Sequence, residues 1–132
     1  METGLKGEAT VKVFRGNTAV AVGSGSVPVF ATPMLMALME NAAINALREE
    51  LPPEQTTVGT KGDIVHLAAT PVGMTVTARA ELVQVDGRRL LFEITAEDEA
   101  ELVGRCRHER FVVERERFLA RVGQKQAQWG NR

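Results

Sequence analysis

Residues 32–50, TPMLMALMENAAINALREE, are apolar around most of a helical circumference, and the long run after them switches to a period of two. Thr32 reads as an N-cap and Pro33 as the first helical residue, where a missing N–H costs nothing. The spacing predicts a helix to about Glu50, stopped by Pro52-Pro53. At about 100° per residue, Asn41, Asn45, Arg48 and Glu49 gather into one polar arc. Met36, Ala37, Ala43, Ile44 and Leu47 instead lie within about 60° of Glu40. Glu40 is therefore outside the wet stripe and set in the apolar arc. A helix with so wide an apolar surface must be wrapped, and a strongly curved sheet would do that.

Strands are available on both sides of the helix. Residues 9–14 read as a first strand, 18–22 as a weaker one, and Gly23-Ser24-Gly25-Ser26 as a flexible loop. After the helix, residues 55–68 are β-rich, and residues 74–85 alternate with Met74, Val76, Ala78, Ala80 and Leu82 on one face. Asp86-Gly87 is a hairpin signal. Residues 88–96 return with Leu90, Phe92 and Ile94 together, a turn follows at 97–99, and residues 101–113 make the last long strand. Residues 114–121 are expected to form a short helix, and 124–132 a frayed end. The pattern is α+β: one long helix and an antiparallel meander.

Apolar content of 44% and charged content of 25% over 132 residues fit one globular domain. A net charge of −1 gives no footprint for nucleic acid. One cysteine, Cys106, excludes an internal disulfide framework and a multi-cysteine zinc site. Residues 18–39 are apolar but broken by glycines, serines and prolines, so they read as loop plus buried helix and no membrane span. The N-terminus lacks a secretory pattern, and a cytoplasmic protein is expected.

Glu40 is the first candidate for chemistry. A carboxylate among methionines and alanines is expected to have a raised pKa unless a cation or several donors hold it ionised. Such groups cluster at functional sites, yet a structural pair with Arg79, Arg105 or Arg107 would also account for it. His66 shares a strand face with Ile64 and Ala68, where a histidine is commonly a core residue; it is also the better acid/base candidate. His108, among arginines in RCRHERF, reads as surface or structural. Thr32 either caps the helix or uses its hydroxyl at the positive helix end. Gly59 marks a bulge or lets a ligand approach a backbone N–H. Cys106 reads as a packed small residue, and two histidines without HExxH spacing give no metal site.

The stretches VFATPMLMALMENAA (29–43), VGTKGDIVHLAATPVGMTVTARAEL (58–82), DGRRL (86–90) and HERFVV (108–113) resemble the fluoroacetyl-CoA thioesterase-like branch of the hotdog superfamily. The resemblance covers about residues 27–125. It implies one hotdog domain over residues 1–125 with a tail at 126–132. It further implies a homodimer, with higher assembly open, that hydrolyses acyl-CoA thioesters without metal or organic cofactor. The roles implied are Glu40 as nucleophile or general base, His66 as general acid/base near the sulfur, Thr32 as orienting or reacting hydroxyl, and Gly59 N–H on the oxyanion. The fluoroacetyl specialist carries a longer, aromatic-containing lid ahead of the helix. Here that stretch is AVGSGSV, with Ser26 at the position of a phenylalanine gate. A general short or medium acyl-CoA is therefore expected. A non-catalytic acyl-CoA-binding module and an enoyl-CoA hydratase are the alternatives. Neither nucleic acid nor membrane is an expected partner.

Overall fold

The computed structural model describes residues 1–131; Arg132, the last residue of the expected tail, lies outside the described residues. The elements run β1 (Lys6–Lys12), α1 (Ala19–Val22), α2 (Thr32–Ala46), β2 (Gln55–His66), β3 (Thr75–Asp86), β4 (Arg89–Glu97), β5 (Leu102–Glu114) and α3 (Arg115–Gly130). The five strands form one antiparallel sheet in the order β1-β3-β4-β5-β2, and α2 lies in its curl. This is the α+β architecture that the pattern predicts, in the hotdog arrangement that the resemblance implies.

The period of two does the wrapping. Val76, Ala78, Ala80 and Leu82 of β3 and Leu90, Phe92, Ile94 and Ala96 of β4 all turn inward and are buried. They meet Leu35, Leu38, Met39, Ala42, Ala43 and Ala46 of α2, spaced three and four apart. Burying a side chain such as Phe92 or Leu82 contributes about 1.5–3 kcal/mol each. Close approach is bought by small residues: a side chain at Gly7 would collide with the backbone of Ala42 and Ala46. The Asp86-Gly87 turn closes β3 onto β4 with Gly87 at φ +61°.

Several expectations change. The weak strand at 18–22 is the helical turn α1, because Thr18 accepts from the Ala21 N–H and Gly23 ends it in the left-handed region. Those two caps override the β preference of the valines. α2 ends at Ala46 rather than Glu50, where its last turn opens and buries Leu47. Its N-cap is Ala31; Thr32 is the first helical residue and caps nothing. α3 runs to Gly130, well past the expected Arg121. Ala37 and Ile44, which flank Glu40 on the helix, are exposed, so the sheet leaves that side of α2 open.

One irregularity positions the site. β2 carries a bulge between Gly59 and Lys61, where its register against β5 slips by a residue. In a regular strand, residues seven apart face opposite sides. The extra residue restores the phase, so Gly59 and Gly62 both face α2, as does the end of the strand at His66.

Candidate active site

Glu40 leaves the middle of α2 toward the β2–β5 pair. Its Oε2 accepts from Arg110 Nη1 at 2.9 Å, and 38% of its side chain remains exposed. Arg110 is buried and held on every nitrogen: Nε donates to Thr57 Oγ1 at 2.9 Å and Nη2 to Thr57 O at 3.1 Å. Nη1 also faces His108 Nε2 at 3.1 Å. His108 is buried, and its Nδ1 lies 2.8 Å from the Lys61 carbonyl, which can only accept. Nδ1 therefore carries the hydrogen, and Nε2 is the acceptor for Arg110. Burial, aided by the Arg110 charge, pushes the His108 pKa down, although its bond to Lys61 opposes this. The neutral ring fixes Arg110, and Arg110 fixes Glu40.

Gly59 completes this half. A Cβ there would fall inside the contact distance of Glu40 Oε2 and press on Arg110 and His108. Only a residue without a side chain leaves room for the carboxylate. Gly59 thus has a steric reason to be glycine besides the bulge beside it.

The expected partners of Glu40 were the wrong arginines. Arg105 and Arg107 alternate with the inward Cys106, His108 and Arg110, so they face solvent. Arg107 pairs outside with Glu93 at 3.6 Å, and Arg79 pairs outside with Glu8 and Glu97. Arg110 and Thr57 were missed. The signal was present: counting by two from Cys106 puts His108 and Arg110 on the helix side, and the same count removes His108 from the surface. Cys106 packs beside Met36 at 3.8 Å, and burial raises its thiol to about 11, which leaves it inert at neutral pH.

Thr32 and His66 form a second group at the N-terminus of α2. Thr32 Oγ1 lies 2.7 Å from His66 Nδ1, so the hydroxyl serves the imidazole and not the helix end. Burial lowers the His66 pKa, outweighing the Ala68 backbone, and the ring is neutral near pH 7. Nε2 is shielded from solvent and has no hydrogen-bond partner among the described residues. Nδ1 is thus the ring nitrogen in contact with the exposed Thr32 hydroxyl. The segment before Thr32 is pinned here as well, through the Thr18–Phe30 and Val29–Pro71 bridges, and it leaves Val20, Val22 and Val27 exposed.

The structure thus joins Thr32 with His66 and Glu40 with Gly59, but keeps the pairs apart. Eight residues of helix separate Thr32 from Glu40, a rise of about 12 Å. Gly59 and His66 lie about 20 Å apart along β2.

The model of the family described as fluoroacetyl-CoA-specific thioesterase matches residues 13–116. The fluoroacetyl-CoA thioesterase of Streptantibioticus cattleyicolor is 44% identical over 97 residues, which is 74% of this chain and 70% of that protein. A solved fluoroacetyl-CoA thioesterase superposes with a TM-score of 0.89 at 36% identity, covering 95% of this chain and 97% of that one. A thioesterase superfamily member from Thermus thermophilus shares the fold, with a TM-score of 0.92 at 22% identity over 99% of this chain and 97% of its own. The chain belongs to the fluoroacetyl-CoA-specific thioesterase family, among the thioester hydrolases of the hotdog fold.

Proposed function

We propose that this protein hydrolyses a short or medium acyl-CoA thioester to the free acid and CoA, as a homodimer whose sites combine residues of both copies. The observation that carries this reading is the Glu40 carboxylate, clamped through Oε2 by a buried arginine yet left partly open to solvent. The opening gives a ligand access to the clamped carboxylate. A relative in this family has been solved with acetyl-CoA bound, which fits the substrate class.

The separation of the two residue pairs argues for a second copy. β2 is a long edge strand, and its middle, residues 59–63, is exposed. Antiparallel pairing of two such edges about a two-fold axis near Gly62 and Asp63 sets Gly59 of one copy opposite His66 of the other. The exposed Ala37 and Ile44 lie beside Glu40 on α2 and would be covered by the same contact. Each site then has an attacking half, Glu40 and the Gly59 N–H, and a leaving-group half, Thr32 and His66.

Glu40 either attacks the thioester carbonyl, forming a mixed anhydride that water opens, or takes a proton from the attacking water. The Gly59 N–H receives the developing oxyanion. Thr32 orients the sulfur end, and His66 exchanges protons with it through the threonine hydroxyl. The short segment 19–28, with Ser26 in place of an aromatic gate, favours general acyl groups over a fluorinated one. Its exposed Val20, Val22 and Val27 suit an apolar acyl chain.

Release of free thiol from a panel of acyl-CoA esters tests this. Turnover is expected, falling at least about a hundredfold in Glu40→Gln and in His66→Ala. Tight binding without thiol release would leave a binding module, and a product with CoA still attached would leave a hydratase. Wild-type turnover in either variant would remove that residue from the mechanism.

A further inference from the structure

We infer that α3 is a docking arm for the second copy, laying its apolar stripe across the partner's sheet end and its basic edge against the partner's acidic turn at residues 97–101. The inference rests on the edge-paired dimer proposed above.

α3 has no buried residue, and it is tied to its own subunit at the root, where the Arg115 N–H donates to the Glu54 carbonyl at 2.9 Å. A 16-residue helix interrupted by Gly123 is marginal in water without packing. Phe118, Val122 and Trp129 follow one another at spacings of four and seven, so they share a face, with Leu119 beside them. All four are exposed, Trp129 at 72%. Arg121 and Lys125 border that stripe, and the helix holds four basic residues, Arg115, Arg117, Arg121 and Lys125, against the single acid Glu116.

The topology says where such a helix can reach. β5 is 13 residues long, so the root of α3 lies about 40 Å from the turn that begins its own β5. A 16-residue helix spans about 24 Å and cannot return there. The two-fold reverses the second copy, so its β2 ends and its β5 begins at the side where α3 leaves the first. Three strand spacings, about 14 Å, separate the two β5 strands. The destination carries Leu67 and Leu102, both 46% exposed, and the sequence EDEAE. Within that stretch Glu97 pairs with Arg79, Asp98 caps backbone N–H groups and Glu99 holds Thr75, so that Glu101 is the acid there without a side-chain partner among the described residues. Edge pairing of two strands alone buries little, and a helix laid over the joint brings the contact toward the roughly 1,200–2,000 Å² of a stable interface.

The test uses the full chain. Trp129 is the only tryptophan, so its emission reports the helix directly. Diluting the dimer to monomer is expected to shift the emission to the red. The double variant Arg121→Glu/Lys125→Glu should raise the dimer dissociation constant at least about tenfold, with partial recovery on adding Glu101→Lys. A dimer with emission and dissociation constant unaffected overturns the docking arm and leaves the edge-paired dimer standing. A chain that stays monomeric at every concentration overturns both, while thiol release by the monomer would still support the hydrolase reading.

Discussion

The two halves of the site differ in how they are held. Glu40 is fixed by a chain of contacts, from the Lys61 carbonyl through His108 and Arg110, with Thr57 holding the guanidinium from the other side. Thr32 and His66 share one hydrogen bond, and the far imidazole nitrogen has no partner. On the proposed mechanism, a carboxylate that presents one oxygen to a carbonyl gains from rigid placement. A pair proposed to exchange protons needs a neutral ring and an exposed hydroxyl, and tolerates looser support. The contrast teaches that polar groups in one small site are satisfied unevenly, one half by a chain of contacts and the other by a single bond.

The largest effect is expected from Arg110→Met. It strands Thr57, His108 and the Glu40 carboxylate together, and should cost about 3 kcal/mol in unfolding free energy by denaturant titration. That is the low end for breaking a buried ion pair, because Glu40 keeps part of its hydration. Unchanged stability would mean that the carboxylate half is not locked as described.

Proton linkage offers a finer cut. Both histidines have pKa values lowered from 6.5 by burial, so the unfolded chain binds their protons first. Their contribution is complete above about pH 7.5, begins to fade at 6.5, and is lost as pH falls further through the lowered native values, at up to about 1.4 kcal/mol per pH unit for each ring. Urea midpoints measured across that range should show the slope, and His66→Ala should remove only its own share. A flat profile would contradict the burial of both rings.

The smallest effect belongs to the hydroxyl half. Thr32→Val removes one neutral hydrogen bond at an exposed position and should cost about 0.5–1.5 kcal/mol. Its catalytic effect should exceed that figure if Thr32 is the atom through which His66 works. A stability loss as large as that of Arg110→Met would erase the difference between the halves.

Much of the fold was legible because the inward rows of β3 and β4 alternate without interruption, and because α2 shows its apolar spacing plainly. The valines of residues 18–22 misled, since two capping residues outweighed their strand preference. Arg110 was legible in principle, from the same alternation that places Cys106 inward. The Thr32–His66 bond was not, because capping is the local role of a threonine before a proline and a contact 34 residues away leaves no local trace.

Periodicity and local motifs, which depend on near neighbours along the chain, were enough for the central helix, the five strands of the sheet and the four candidate residues, and the likeness of whole stretches was enough for the family. Tertiary structure decided which candidates meet. The bulge beside Gly59 turned that glycine and His66 to the same side, the fold of β5 against β2 chose Arg110 as the cation, and the lengths of α2 and β2 kept the two halves apart. Those outcomes depend on strand phase and on distances through space, which one residue of slip can reverse.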